Sequence, residues 1–189
     1  VRRRIATGRL SYLTLENSEL MMGYDYSKNA RLTEVVNDPA NYPVILYPGP
    51  QSLNVSPMST EERKTVFPPG KKPVVIVIDG TWGTAGKMMR RSSNLHGLPR
   101  ICFTPDKPSN YRVRLQPKRE CVSTVEAIHH TIELLGPSVG FDLSARKHDA
   151  LLRVFDHMVE QQLAYVQRSL AEGRPTRHRR QRVTPEASI

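Results

Sequence analysis

Asp79, Thr81 and Trp82 stand within four positions of one another, where an apolar run, Val74-Val75-Ile76-Val77-Ile78, stops abruptly. A carboxylate there can take a proton or hold a cation. A hydroxyl can donate or accept, and an indole face can stack on a ring or a positive charge. The apolar run reads as a strand and the residues after Thr81 as a helix. In open α/β sheets that corner is where small ligands bind, because the next helix presents free N–H groups to it. Structural alternatives stand beside the chemical ones: Asp79 is a favoured capping residue, and Trp82, the single tryptophan, has the composition of a core side chain.

Other chemistries find less support. Gly80-x-x-Gly83-x-x-Gly86-Lys87 follows a strand, but Met88 stands where a phosphate-binding loop needs Ser or Thr, so nucleotide hydrolysis is not expected. The sequence holds no HExxH and no GxSxG, and no cysteine pairs with a histidine as a nucleophile would require. His129-His130 falls inside a predicted helix, and the other histidines are scattered. Cys102 and Cys121 form no CxxC pair, so neither a metal site nor a disulfide framework is expected from this chain, and a reducing, intracellular setting fits best.

The elements that must position these residues can be read from apolar spacing and turn signals. The segment from Ile5 to Leu15 is ambiguous between helix and strand. Leu20-Met21-Met22 reads as a strand, Asn29 to Val36 as a helix stopped by Asn37-Asp38-Pro39, and Val44 to Tyr47 as a buried strand closed by Pro48-Gly49-Pro50. Ser59-x-x-Glu62 and Ser123-x-x-Glu126 have capping-box spacing and open helices through Val66 and Leu135. Between them lie the Val74–Ile78 strand, a helix from Thr81–Gly83 to Arg91, and a strand over Arg100 to Phe103. Ala145 to Leu170 is a long amphipathic helix with Leu152, Phe155, Val159 and Leu163 on its core face. Short apolar strands separated by helices predict an α/β fold with a mostly parallel sheet flanked by helices. We expect one domain over residues 1–172 and a disordered basic tail over 173–189.

At 189 residues, 38% of them hydrophobic, the chain can bury a substantial core. No apolar stretch approaches the roughly 20 residues of a membrane span, and no signal peptide is visible. The net charge of +10 is unevenly placed. Between Lys87 and Arg119, nine Lys or Arg residues face one acid, Asp106, and from Arg168 onward six Arg face Glu172 and Glu186. The remainder of the chain is slightly acidic. Such segregation reads as a footprint for a polyanion, or else as a solvated basic face.

Taken with its neighbours, the central corner acquires a signature. Asp79-Gly80-Thr81-Trp82 is followed by Ala85, Met88, Asn94, Leu95 and Leu98-Pro99-Arg100. Then come Ser109-x-Tyr111-x-x-Arg114, Pro117 and Ser123-Thr124-x-Glu126-Ala127. With Thr7-Gly8-Arg9-Leu10 near the start, this sequence resembles the DTW-domain family over most of residues 5–165. The resemblance implies tRNA-uridine aminocarboxypropyltransferase activity, in which the 3-amino-3-carboxypropyl group of S-adenosylmethionine is moved to N3 of a tRNA uridine. It also implies a SPOUT-like fold with a C-terminal trefoil knot. Family members typically carry a cysteine-rich, zinc-binding stretch ahead of the Thr-Gly-Arg-Leu element. This sequence opens at Val1-Arg2-Arg3-Arg4 with no initiator Met, and either that stretch preceded it, as the missing Met favours, or this member lacks it.

The resemblance assigns S-adenosylmethionine as cofactor and tRNA as partner, and suggests roles. Asp79, Thr81 and Trp82 are the candidate catalytic residues, with Asp79 open as base, orienter or cap. Leu46, Tyr47, Pro48, Gly49, Asp79, Gly80, Thr104, Leu115 and Pro117 would wrap the adenosine if the fold is knotted. Ser123 and Thr124 would bind the cofactor carboxylate or simply cap their helix. Arg90, Arg91, Lys107, Arg112, Arg114, Lys118 and Arg119 would meet tRNA phosphates, with Tyr111 available to stack a base. Arg100 or Arg114 would serve the cofactor carboxylate instead. A cytoplasmic, or also nuclear, location follows. Two other readings of the same features are an RNA methyltransferase of SPOUT type using the same cofactor, and a non-enzymatic RNA-binding module.

Overall fold

The computed structural model describes residues 7–113 and 120–173. Arg114, Leu115, Pro117, Lys118 and Arg119, together with the basic tail beyond Gly173, lie outside the described residues. The elements run α1 (Thr7–Thr14), α2 (Ala30–Asn37), β1 (Asn41–Leu46), β2 (Ser52–Asn54), α3 (Thr60–Arg63), β3 (Lys72–Val77), α4 (Trp82–Arg91), β4 (Arg100–Cys102), α5 (Thr124–Leu135) and α6 (Ala150–Ala171).

The four strands form one sheet in the order β2-β4-β1-β3, and every pair is parallel. β1 is central and explains its own sequence: Val44 and Ile45 are both almost fully buried and face opposite sides of the sheet. Ile45 joins Tyr26, Leu32, Met88, Met89 and Leu95 on one side, beneath α2 and α4. Val44 joins Val55, Val66, Phe67, Ile101 and Leu135 on the other. A third cluster lies away from the sheet, where Val125 of α5 meets Leu151, Phe155, Met158 and Val159 of α6 with Leu10 of α1 packed against them. The expected α6 stripe is thus a core stripe, with Phe155 and Val159 at its centre.

β3, the apolar run ahead of Asp79, is an edge strand. None of its residues is fully buried, and Val75 is 36% exposed. It pairs with β1 alone, which leaves the other side of its ladder open.

Four sequence expectations need correction. Leu20-Met21-Met22 is not a strand: Met21 packs on the Tyr26 cluster, Met22 is 90% exposed, and the Tyr26 hydroxyl donates to the Met21 carbonyl. A side-chain contact holds this segment where a ladder was expected. β2 went unread because three residues, one of them apolar, carry no periodicity. α3 stops at Arg63, after which the Thr65 and Val66 N–H groups reach only three residues back. α6 begins at Ala150, five residues later than its spacing suggests. Arg146 has a left-handed backbone, φ 48°, and a short 3-10 turn over Lys147–Asp149 intervenes. The ambiguous first segment is a helix, α1.

Candidate active site at the carboxyl edge of the sheet

Because all four strands are parallel, their carboxyl ends share one edge. Leu46 and Tyr47 leave β1 there, Asp79 and Gly80 leave β3, and Thr104 leaves β4. Each of these was expected in the site, and the topology brings their loops to the same side. Tyr47 is held by its N–H on the Ile101 carbonyl at 3.0 Å and by its carbonyl, which accepts from the Ser52 hydroxyl at 2.7 Å. Its phenol oxygen lies beside Gly86 of α4, where the Arg90 guanidinium also approaches. Pro48 and Gly49 are exposed at the turn that follows. Thr104 is tied to the exit of β2: its hydroxyl accepts from the Asn54 side-chain amide at 3.1 Å, and its N–H donates to the Ser56 hydroxyl at 2.8 Å.

The residues of the central corner divide their tasks. Thr81, not Asp79, caps α4: its hydroxyl oxygen accepts from the Thr84 N–H at 3.2 Å and lies 2.8 Å from the Thr84 hydroxyl. This leaves the Asp79 carboxylate free for other partners. Its Oδ1 accepts from the Thr124 hydroxyl, the first residue of α5, at 2.6 Å. Its other oxygen lies against α1. A Cβ built on Gly8 would stand 2.8 Å from both Cβ and Cγ of Asp79 and 2.9 Å from Oδ2. Only glycine fits in that first turn. Three helices therefore begin around one carboxylate, α1 and α5 in contact with it and α4 three residues along the chain. Helix N-termini favour negative charge, so the site suits Asp79 and would also attract an anionic group of a ligand. The negative charge of Asp79 extends to Tyr26, whose phenol is pushed up first by burial and then by that charge.

Trp82 is 42% exposed at the first position of α4, so it is not a core residue but an open aromatic face beside Asp79 and Gly80. The Ser123 hydroxyl and N–H are both engaged in the capping box with Glu126, at 3.3 and 2.7 Å. The Thr124 proton goes to Asp79, so of the two hydroxyls expected to face a cofactor, neither is idle. Tyr111 is corrected outright: it is buried, its ring edge-on to Phe155 at 5.4 Å, and a ring packed in the α5–α6 core is not available to a base. Arg90, Arg91, Lys107 and Arg112 are all exposed, the first two in the last turn of α4, while Arg100 sits half-buried in β4.

Gly8 and Glu126 do more than their sequence context indicates. Gly8 was noticed only as part of a motif, since its need for closeness depends on a residue 71 positions away. Glu126 does more than cap α5. Its buried carboxylate also accepts from the Ser109 hydroxyl at 2.6 Å and the Asn110 N–H at 2.7 Å, fastening the chain after β4 to the start of α5. Asn94 plays a similar part nearby, donating its side-chain amide to the Tyr26 carbonyl at 2.9 Å.

A family model for the DTW domain matches residues 1–163. The chain belongs to the DTW domain family. This DTW protein is similar to tRNA-uridine aminocarboxypropyltransferase 2 of Macaca fascicularis, with 28% identity over 92 residues, covering 49% of this chain and 29% of that protein. It is likewise 28% identical over 113 residues to tRNA-uridine aminocarboxypropyltransferase 2 of Mus musculus, covering 59% of this chain and 35% of that protein. The DTW chain thus spans about a third of the length of these relatives. No solved structure matches it. Among the described residues, no helix of the DTW protein is long and apolar enough to cross a membrane.

Proposed function

We propose that this chain carries out tRNA-uridine aminocarboxypropyl transfer inside the cell, using S-adenosylmethionine to modify N3 of a uridine and give acp3U. Family membership and the names of the relatives support this reading. The single observation that carries it is the convergence of α1, β3 and α5 on Asp79 at the carboxyl edge of the sheet. The donor set fits such a cofactor: a carboxylate for its cationic part, first-turn N–H groups of α5 for its carboxylate, and an open indole for a flat ring or a sulfonium.

When bound, S-adenosylmethionine supplies a carbon already activated by its sulfonium, which leaves the protein with positioning rather than activation. Asp79, fixed on one oxygen by Thr124, takes the N3 proton of uracil on the other. Trp82 gives the base a face to lie on. Thr81 holds the start of α4 and so sets the position of both neighbours. Leu46, Tyr47, Pro48, Gly49, Gly80 and Thr104, with Leu115 and Pro117, enclose the adenosine. Arg90, Arg91, Lys107 and Arg112, with Arg114, Lys118 and Arg119, meet tRNA phosphates.

A SPOUT-like knotted fold is part of the proposal. β1 and β2 are parallel, yet only residues 47–51 join them, and β4 pairs between the two. Leu46 and Leu53 both stand level with Ile101, so the linker crosses over β4 instead of returning the length of a strand. A short connection bracketing a later strand is what a threaded chain requires.

Nucleoside mass spectrometry of tRNA incubated with the protein and labelled cofactor tests the reading. Label from the carboxypropyl carbons is expected in tRNA with wild type and not with Asp79→Asn. Transfer of the methyl label would replace this reading with a methyltransferase. Absence of both labels and of cofactor binding would leave an RNA-binding module.

A further inference from the structure

On the far side of α5 from Asp79, four side chains turn their ligand atoms toward one another. His129 and Glu133 lie one turn apart on α5, His148 belongs to the 3-10 turn before α6, and Asp149 occupies the N-cap position of α6. Their donor atoms all lie within 4.8 Å of one another. They close a ring in which nitrogen and oxygen alternate: His129 Nε2 to Asp149 Oδ1 at 2.8 Å, Asp149 Oδ1 to His148 Nε2 at 3.7 Å, His148 Nε2 to Glu133 Oε1 at 2.8 Å, and Glu133 Oε1 to His129 Nε2 at 3.7 Å. A tetrahedral zinc ion with bonds of about 2.0–2.1 Å separates its ligands by roughly 3.3–3.4 Å. Adjacent pairs lie within about half an ångström of that spacing, and the diagonal pairs, at up to 4.8 Å, would have to draw in around the ion.

One further feature bears on the cost of such a site and another favours it. The His148 side chain is 1% exposed, and its Nδ1 is buried with no hydrogen-bond partner. With Nε2 on an ion the ring proton would sit on that Nδ1, a buried donor without a partner, at a desolvation cost that the ligand bond must exceed. Asp149 is of the residue type most favoured to cap a helix, yet it makes no capping bond to α6 and directs its carboxylate into the ring.

Arg146 stands over the cluster, with Nη2 2.6 Å from Glu133 Oε1 and 2.8 Å from Asp149 Oδ1. It supplies the positive charge that the two carboxylates require. Its side chain is 48% exposed, so it can withdraw to solvent or keep only its Nε contact with Asp149 Oδ2. We propose that His129, Glu133, His148 and Asp149 form a structural zinc site that fastens the start of α6 to α5, with Arg146 as the competing cation. Two imidazoles favour zinc over magnesium or calcium, and four protein ligands leave no open position for catalysis. The same helix α5 carries Thr124 to Asp79, so the ion would steady the element that holds the candidate site.

Zinc titration of the chelator-stripped full chain against a chromophoric competitor tests this, with elemental analysis for stoichiometry and cobalt(II) spectra for geometry. One zinc per chain, tetrahedral cobalt bands and a melting temperature raised by metal are expected. His129→Gln and His148→Gln should weaken binding about a hundredfold or more, since each removes a ligand, with helical circular dichroism retained. Arg146→Gly should bind zinc about tenfold more tightly, because the competitor is gone from an exposed position. The proposal is overturned if zinc is not bound stoichiometrically, or if the Gln variants bind it as wild type does through exposed histidines elsewhere. Should the Gln variants not fold, unchanged or weaker binding by Arg146→Gly overturns it equally.

Discussion

The Thr124 hydroxyl donates to Asp79 Oδ1 at 2.6 Å, so the first residue of α5 sets the direction of a carboxylate at the end of β3. A hydrogen bond to a charged group is worth about 1.5–3 kcal/mol, or roughly 10–100-fold in rate if the geometry it holds matters only in the transition state. Thr124→Val should lower kcat by about that factor and leave cofactor affinity nearly unchanged, whereas Thr124→Ser should keep most activity. Steady-state kinetics on tRNA with both variants decides the matter. Equal losses in Ser and Val variants would show that the methyl, not the hydroxyl, is what counts.

Gly8 limits the same carboxylate from the other side. Gly8→Ala places a methyl 2.8 Å from Asp79 Cβ and Cγ, and either α1 or β3 must shift. Overpacking of this kind costs about 1–3 kcal/mol, and a domain of this size loses about 2–4 °C of melting temperature per kcal/mol. Activity should fall by more than that stability loss explains, because Asp79 moves. Gly83→Ala is the contrast: its Cβ would meet nothing within 4 Å, and the exposed helical position should gain about 0.5–1 kcal/mol. Thermal melts of the two variants should therefore move in opposite directions.

Much of this arrangement was legible in the sequence where the cause is local. Both capping boxes, the Thr81–Arg91 helix and the central strand over Val44–Leu46 depend on neighbours a few residues apart, and spacing reports such neighbours directly. What spacing does not report is contact across the fold. Gly8 requires glycine because of Asp79, Tyr111 is core because of Phe155, and His129 faces His148 only once α6 has folded back on α5. β2 is a strand because β4 offers it a ladder, and its own three residues give no sign of that. Trp82 was open between a stacking face and a core side chain on sequence alone, and its place at the first turn of α4 leaves it exposed.

The acid response of the α5–α6 junction follows from Asp149. Hydrogen bonds from Arg146 and then His129 hold its carboxyl down at about 2, below an ordinary 3.8. Glu133 is also lowered: burial pushes it up, but hydrogen bonds from His148 and Arg146 outweigh that. Groups depressed in the folded state bind fewer protons than they do unfolded, so stability rises with pH across the interval between the two values. The contribution is complete above about pH 5 and is lost as pH falls toward 2. Arg146→Gly should flatten this slope. Denaturant unfolding between pH 5 and pH 3 with chelator present measures it, and parallel curves for the two proteins would remove Arg146 from the account.

Exposed cations on α4 and after β4 give the last prediction. Arg90 and Arg112 are both solvent-exposed, and neither is engaged in the carboxylate network around Asp79. Phosphate contacts position RNA without reading its sequence, and each contact adds a little under one to the slope of log affinity against log salt. The double variant Arg90→Glu, Arg112→Glu should weaken tRNA binding about tenfold or more at moderate salt and flatten that slope by about 1.5. Cofactor binding measured by calorimetry should fall much less than tRNA binding, since neither change reaches Asp79 or Thr124 and only Arg90 approaches Tyr47, beside Gly86. Fluorescence anisotropy with labelled tRNA over a salt series provides the test. A slope unchanged from wild type would move the RNA surface away from this face of the protein.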